Sequence, residues 1–113
     1  LIAFGYNVSR VLVTKNRNGA TGQMLYTDGK IVTMDFIQEG CPGFGISAVG
    51  EKGTHTQDIQ FDADAYLTGI LEFTRMFKTG REPVPYEQML KPVQVLEALE
   101  VSVKSGQMET VAR

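Results

Sequence analysis

The stretch that decides the fold reads DGKIVTMDFI and covers residues 28–37. Asp28-Gly29 predicts a two-residue hairpin turn, in which both positions need positive φ. The residues that follow alternate in the way that is typical of a β-strand with one face on a core. One face is fully apolar and carries Val32, Met34 and Phe36. The other face is mixed and carries Ile31, Thr33, Asp35 and Ile37.

Four further β-type runs flank this strand and are separated by turns that contain glycine. They cover residues 8–14, 23–27, 44–49 and 54–60, with turns at 16–19 and 50–53. The last run is polar, so we place it at an edge of the sheet or on a wetter face. Together the five runs predict an open, largely antiparallel meander.

The chain changes to helical patterns near residue 61. The apolar stripe of a first helix is formed by Tyr66, Ile70, Phe73 and Phe77. Asp62 is predicted to cap the start of this helix, with Asp64 adding negative charge to its first turn. Gly80 is predicted to end the helix in the left-handed conformation.

A second helix is predicted to start at Tyr86 or Glu87 and to end at Gly106. Pro92 falls inside its pattern, so we expect a kink or a restart there. The buried stripe of this helix is expected to consist of Val93, Leu96, Leu99 and Val103.

Strands followed by helices favour the α+β class over alternating α/β, so we predict one α+β domain over residues 1–113. Both helices are expected to pack on one face of the five-stranded sheet, and residues 108–111 to add a short final strand. The other face then carries Ile31, Thr33, Ile37 and Leu25 without a covering layer. Because an apolar face needs a cover, we expect another subunit, another domain or a ligand, and specifically a homodimer.

Composition and charge exclude several classes of protein. The chain has 113 residues, of which 42% are hydrophobic and 21% charged, as in ordinary globular proteins rather than disordered chains. Its formal charge of −2 offers no field that would collect nucleic acid or a membrane surface. A single cysteine cannot form an internal disulfide, so no secreted disulfide scaffold is implied. We expect a cytoplasmic protein. We interpret the start at Leu1, without a signal sequence, as that of a piece of a longer protein.

The residues with reactive side chains form no catalytic constellation. Residues 43–48 match the GxGxxA spacing of a dinucleotide-binding loop, but no parallel βαβ unit surrounds them, so we interpret them as a strand softened by glycine. His55 is interpreted as a surface strand histidine, since local spacing fixes no carboxylate partner. Cys41 is interpreted as a loop cysteine, because neither a basic neighbour nor a helix start favours its thiolate.

Two charged groups also have structural explanations. Helix capping explains Asp62 and Asp64, since further oxygen ligands for a metal ion cannot be placed. Arg10, Lys15 and Arg17 lack interleaved aromatic residues, so they are interpreted as a solvated strand end. The sequence therefore assigns no catalytic, cofactor-binding or metal-binding residue to this chain.

Three stretches of the chain, taken in order, resemble one known family. They are residues 28–32 (DGKIV), residues 46–54 (ISAVGEKGT) and the pattern from Phe73 through Gly80-Arg81-Glu82-Pro83 to residues 98–102 (ALEVS). Over residues 23–111 their order and spacing are similar to the C-terminal part of the Gfo/Idh/MocA oxidoreductases, the glucose-fructose oxidoreductase and inositol dehydrogenase type.

The resemblance implies an open sheet with helices on one face, which shapes a substrate pocket and forms the subunit interface. It implies a parent protein that moves hydride between NAD or NADP, bound by an N-terminal Rossmann domain, and a sugar, cyclitol or related polyol. The family's nucleotide fingerprint and its Glu-Lys-Pro motif have no counterpart in this chain, so no catalytic residue is carried over. The chain is then a C-terminal substrate-binding and dimerisation domain that does not catalyse alone.

A second hypothesis is a stand-alone interaction or ligand-binding module without an enzymatic parent. The coding sequence upstream of Leu1 separates the two hypotheses. Only the oxidoreductase predicts a GxGxxG motif in a strand-turn-helix unit there, followed by Glu-Lys-Pro.

Overall fold

The computed structural model describes residues 1, 4–40, 45–60 and 64–112. The strands are β1 Val8–Asn16, β2 Gly19–Tyr26, β3 Ile31–Ile37, β4 Gly45–Gly50, β5 Gly53–Asp58 and β6 Glu109–Thr110. The helices are α1 Ala65–Thr79 and α2 Tyr86–Ser105. These strands and helices confirm the α+β class. The chain divides into unit 1, which is Leu1–Glu39 with Val84–Arg113, and unit 2, which is Gly40–Pro83.

Unit 1 contains an antiparallel sheet with the strand order β3-β2-β1-β6. Leu25 pairs with Ile31 across the β2–β3 ladder, and Gln23 pairs with Thr33. Because directly paired residues point to the same side of a sheet, these side chains share one face. The predicted division of the third strand into an apolar face and a mixed face is therefore confirmed.

The hairpin predicted at Asp28-Gly29 forms, but through a different turn. Gly29 has φ 91°, and the described residues other than glycine show no positive φ, so Asp28 does not have the conformation of a two-residue primed turn. The Tyr26 N–H donates to the Lys30 carbonyl at 3.0 Å, and the Gly29 N–H donates to the Tyr26 carbonyl at 3.1 Å. This three-residue loop with a glycine bulge is stabilised by the Asp28 carboxylate, which accepts the Lys30 N–H at 3.2 Å.

The core of unit 1 lies between α2 and the apolar face of the sheet. Val11 is fully buried at its centre, next to Met24. From α2 the core receives Val95 and Ala98. Removing these apolar side chains from water is the main source of stability in unit 1.

Ser102 joins α2 to the sheet. Its hydroxyl is fully buried, accepts the Val13 N–H at 2.9 Å and donates to the Gln107 carbonyl at 2.7 Å. The short strand β6 pairs with β1 only at Arg10 and Val11. Ser102 therefore satisfies a strand N–H just past the end of that ladder, where an unpaired donor would be costly.

The face of α2 that packs on the sheet differs from the predicted one. Val95, Ala98 and Ser102 are buried, and Leu99 packs beside them. The rest of the predicted stripe, which is Val93, Leu96 and Val103, is exposed. Both faces carry residues at helical spacing, and the small side chains of Ala98 and Ser102 allow the closer approach to the sheet.

The predicted ends of α2 are confirmed, and its restart is not observed. The helix begins at Tyr86 and continues through Pro92 without interruption. It ends at Gly106, which has φ 69° and whose N–H donates to the Ser102 carbonyl at 2.8 Å. The helix tolerates Pro92 because the proline removes only one backbone hydrogen bond near its start.

The five predicted strands all form, but they do not make one sheet. In unit 2, β4 and β5 pair with each other, from Gly45↔Asp58 to Gly50↔Gly53. None of their side chains is buried: β5 contains only glycine and polar residues, and the apolar Ile46 and Val49 of β4 are exposed. The final strand expected at residues 108–111 forms as β6 and pairs with β1.

The first helix, α1, ends as predicted but exposes its apolar stripe. Gly80 has φ 66°, and its N–H donates to the Met76 carbonyl at 2.8 Å. Asp64 occupies the N-cap position, whereas Asp62, which was expected there, lies outside the described residues. No residue of α1 is buried. The predicted apolar stripe is exposed throughout, at Tyr66, Ile70, Phe73 and Phe77.

Candidate functional site

The side of the unit 1 sheet that points away from α2 forms the candidate site. We call it the open face and define it by the side chains of Arg10, Leu12, Thr14, Thr21, Gln23, Leu25, Ile31, Thr33, Asp35 and Ile37. The register of β1–β3 places all of these residues on one side. They are exposed or half-buried, in contrast to the buried residues that alternate with them on β1 and β2.

Apolar side chains on the open face are accessible to solvent. Ile31 is 66% exposed and Ile37 is 75% exposed, while Leu12 and Leu25 are half-buried. Leu25 and Ile31 are paired neighbours, so they form continuous apolar surface. Contiguous apolar surface of this kind is typical of an interaction site.

The opposite end of the open face combines Ile37 with several polar side chains. Thr14, Asn16, Thr21 and Asp35 line an open hollow of about 350 Å³ beside the β1–β2 turn. The Thr21 hydroxyl donates to the Asp35 carboxylate at 3.3 Å. Hydroxyl, amide and carboxylate groups in such a hollow can hydrogen-bond a small polar ligand, although the hollow does not enclose one.

A second polar group surrounds the β2–β3 turn. Lys30 Nζ lies 3.0 Å from Asp28 Oδ2, donates to the Phe4 carbonyl at 2.8 Å and lies 5.1 Å from the centre of the Tyr26 ring. The hydrogen bond from Lys30 lowers the pKa of Asp28. Burial raises the pKa of Tyr26, and the positive charge of Lys30 opposes that shift. These contacts occupy the ammonium group of Lys30 and the carboxylate of Asp28. The two side chains therefore stabilise the β2–β3 turn and do not provide a free acid or base.

Two candidates in unit 2, His55 and the GxGxxA stretch from Gly45 onward, lie on its hairpin. His55 is exposed on β5, opposite Ala48, and lines a shallow hollow of about 570 Å³ beside the β4–β5 turn. Its interpretation as a surface strand histidine is confirmed. The described part of the GxGxxA stretch, from Gly45, lies in strand β4, so it offers no helix N-terminus to a pyrophosphate. These residues therefore do not fit a nucleotide, and Cys41 lies outside the described residues.

The basic residues of β1 separate rather than cluster. Arg10 pairs with Leu25 on the open face, and Lys15 pairs with Ala20 on the opposite side of the sheet. Arg17 lies in the turn that follows. Arg10 and Asp35 lie on the same face of the sheet. This placement could not be predicted from the sequence, because it depends on the strand register, which is set by the lengths of the turns.

Two further kinds of site are not formed by the part of the chain that the structure describes. Within it, three or more His, Cys, Asp or Glu side chains do not gather into a group that could hold a metal ion. Neither of its two helices is long and apolar enough to cross a membrane.

Comparison of the chain with protein-family models, with curated proteins and with solved structures finds no match. A function for this chain therefore rests on the geometry of the open face and on the residues that resemble the Gfo/Idh/MocA family.

Proposed function

We propose that this chain is the substrate-binding and dimerisation domain of a cytoplasmic NAD(P)-dependent oxidoreductase that acts on a sugar, cyclitol or related polyol. The observation that carries the proposal is the open face, with Ile31 and Ile37 exposed on one side of an antiparallel sheet. The resemblance to the C-terminal part of the Gfo/Idh/MocA oxidoreductases supports the assignment to an enzyme. A second copy of the chain is the proposed cover of the open face.

The residues of this chain support separate roles for it and for the rest of the proposed parent protein. The described part of the GxGxxA stretch does not fit a nucleotide, so NAD or NADP is assigned to a separate Rossmann domain of the parent. The bound nucleotide supplies the hydride chemistry. The open face supplies the subunit contact, and Thr14 and Asn16, beside the β1–β2 turn, supply hydrogen bonds to a hydroxyl-rich substrate.

The size of the open face predicts a dimer that depends on concentration. Three strands span about 14 Å, and seven residues along a strand span about 24 Å. Interfaces of that size are small, so association belongs to the weak class. Light scattering should show a monomer at low protein concentration and a dimer at high concentration.

A matched pair of substitutions tests the role of the open face. Ile31 is 66% exposed on the open face, and Leu96 is 65% exposed on α2. Ile31→Lys should abolish the dimer, because it places a charge in the apolar contact, whereas Leu96→Lys should leave the dimer intact. A wild-type monomer at every concentration, or equal effects of the two substitutions, would contradict the proposed dimerisation.

Two measurements test the assignment to an oxidoreductase. Isothermal titration of this chain with NAD and NADP should give no stoichiometric binding, and binding would overturn the division of labour proposed above. The coding sequence upstream of Leu1 should encode a GxGxxG motif in a strand-turn-helix unit and a Glu-Lys-Pro motif. Their absence would instead favour a stand-alone interaction or ligand-binding module.

A further inference from the structure

The open face carries two charged side chains of opposite sign. Arg10 is its cation and lies on β1, and Asp35 is its anion and lies on β3. Both side chains are exposed. Neither belongs to an ion pair among the residues that the structure describes, and the contact recorded for Asp35 is the hydrogen bond from Thr21. The chain therefore presents both charges to a partner.

The ladder places these two charges at equal distances on either side of Gln23. Arg10 lies in the row of Leu25 and Ile31, and Asp35 lies in the row of Thr14 and Thr21. Gln23, on the central strand β2, lies in the row halfway between them. On a regular sheet the two charges are separated by about 14 Å along the strands and about 10 Å across them, with Gln23 at the midpoint.

This placement makes the face complementary to its own copy. A two-fold axis that passes over Gln23, parallel to the sheet and perpendicular to the line from Arg10 to Asp35, exchanges the two charged positions. Two copies related by this axis place each Arg10 against the partner's carboxylate. Resting on the dimerisation proposed above, we propose that a second copy of this chain covers the open face in this register, with two reciprocal Arg10–Asp35 ion pairs.

The register has consequences for the apolar residues and for the angle between the sheets. The same axis passes within about 3 Å of Ile31, so the Ile31 side chains of the two copies meet about 8 Å from Gln23 along the axis. The strands of the two sheets cross at about 70°, given the strand spacing and rise of a regular sheet. That angle is closer to the orthogonal class of sheet packing than to the aligned class.

Charge reversal tests the register. Arg10→Glu places two carboxylates against each other twice in the dimer, and Asp35→Arg does the same with two guanidinium groups. Each should raise the dimer dissociation constant at least about tenfold. The double variant, and an equimolar mixture of the two single variants, should regain wild-type association because both restore opposite charges. Arg17→Glu is the matched control, since Arg17 lies in a turn outside the open face, and it should leave the constant unchanged.

Sedimentation velocity over a range of protein and salt concentrations gives the dissociation constants. Salt should weaken the wild-type dimer and strengthen the Arg10→Glu dimer, because screening acts on attraction and repulsion alike. Recovery in the mixture would support the register. Charge reversals that match the wild type, while Ile31→Lys abolishes the dimer, would overturn the register and leave the proposed dimerisation standing. A wild-type monomer would overturn both.

Discussion

Unit 1 and unit 2 follow equally clear sequence patterns but differ in what they bury. In unit 1, strands and α2 enclose Val11, Met24 and Val95. In unit 2, the described residues include a hairpin and a helix but no buried side chain. The hairpins of both units have glycine in their turns, and α1 and α2 each end at a left-handed glycine. The comparison shows that local signals determine where a strand or helix forms, while burial depends on whether its apolar surface finds a partner.

The largest expected difference between the units comes from truncating an apolar side chain in each. Met24→Ala should lower the free energy of unfolding by about 2–5 kcal/mol, because it opens a cavity in the core of unit 1. Phe73→Ala, at a position that is 62% exposed on α1, should change it by less than about 0.5 kcal/mol. Urea denaturation followed by circular dichroism measures both. A large loss with Phe73→Ala would mean that α1 contributes to a core after all.

A second comparison uses Gly19 and Gly53, which begin the second strand of the β1–β2 hairpin and of the β4–β5 hairpin. A Cβ on Gly19 would lie 1.9 Å from the Phe36 carbonyl oxygen, at φ 155°. Gly19→Ala should therefore cost about 3 kcal/mol, because the backbone of β3 must move. Gly53 has φ 141° but no atom within 4 Å of its Cβ position, so Gly53→Ala should cost about 1 kcal/mol from strain alone. Equal denaturation midpoints for the two variants would contradict this ranking.

A smaller effect should distinguish two serines of α2. Ser102→Ala leaves the Val13 N–H without its buried acceptor, so we expect a loss of about 1–3 kcal/mol. Ser105→Ala removes two exposed hydrogen bonds, one donated to Glu109 and one accepted from the Gln107 N–H, and should cost less than about 0.5 kcal/mol because water replaces both. Amide hydrogen exchange at Val13 gives a local readout, since its protection should fall only with Ser102→Ala. Unchanged protection in both variants would show that Ser102 does not join α2 to the sheet.

The smallest expected effect concerns the β2–β3 turn and its pH dependence. The pKa of Asp28 is lowered, first of all by the hydrogen bond from Lys30, so its stabilising contacts are complete above the unfolded value of about 3.9. They are lost as the pH falls through the lower, folded value. Lys30→Gln should raise the pKa of Asp28 towards its ordinary value in a carboxyl NMR titration.

Glu100 provides the internal control for that titration, because its own pKa is lowered by Lys104 on α2 rather than by Lys30. The Glu100 titration should not move in the Lys30→Gln variant. If Asp28 titrates as in the wild type, the hydrogen bond with Lys30 is not the main cause of its shift.

The sequence predicted where the strands and helices lie better than which of their faces are covered. Alternation in residues 31–37 identified both faces of β3, because each side chain in a strand points opposite to its neighbour. It did not identify the packed face of α2, since apolar residues at helical spacing occur on both sides. Ser102 was missed because a hydroxyl in a helix stripe is an ordinary polar residue until its partner, Val13, is known.

The candidate site was likewise predicted only in part from the sequence. The exposed face with Ile31 and Ile37 was predicted from alternation alone. Its charged pair was not, because Arg10 and Asp35 meet on one face only through the register of three strands.

Unit 1 is assembled from two parts of the chain that are distant in sequence, since Ser102 contacts Val13 across 89 positions. Packing α2 on the sheet closes the stretch between Glu39 and Val84, and the entropic cost of closing it grows only with the logarithm of its length. Each halving of the stretch therefore returns only about 0.6 kcal/mol. Residues 40–83 can accordingly be exchanged for a linker that reaches from Glu39 to Val84, or for a foreign insert, at little thermodynamic cost to the core.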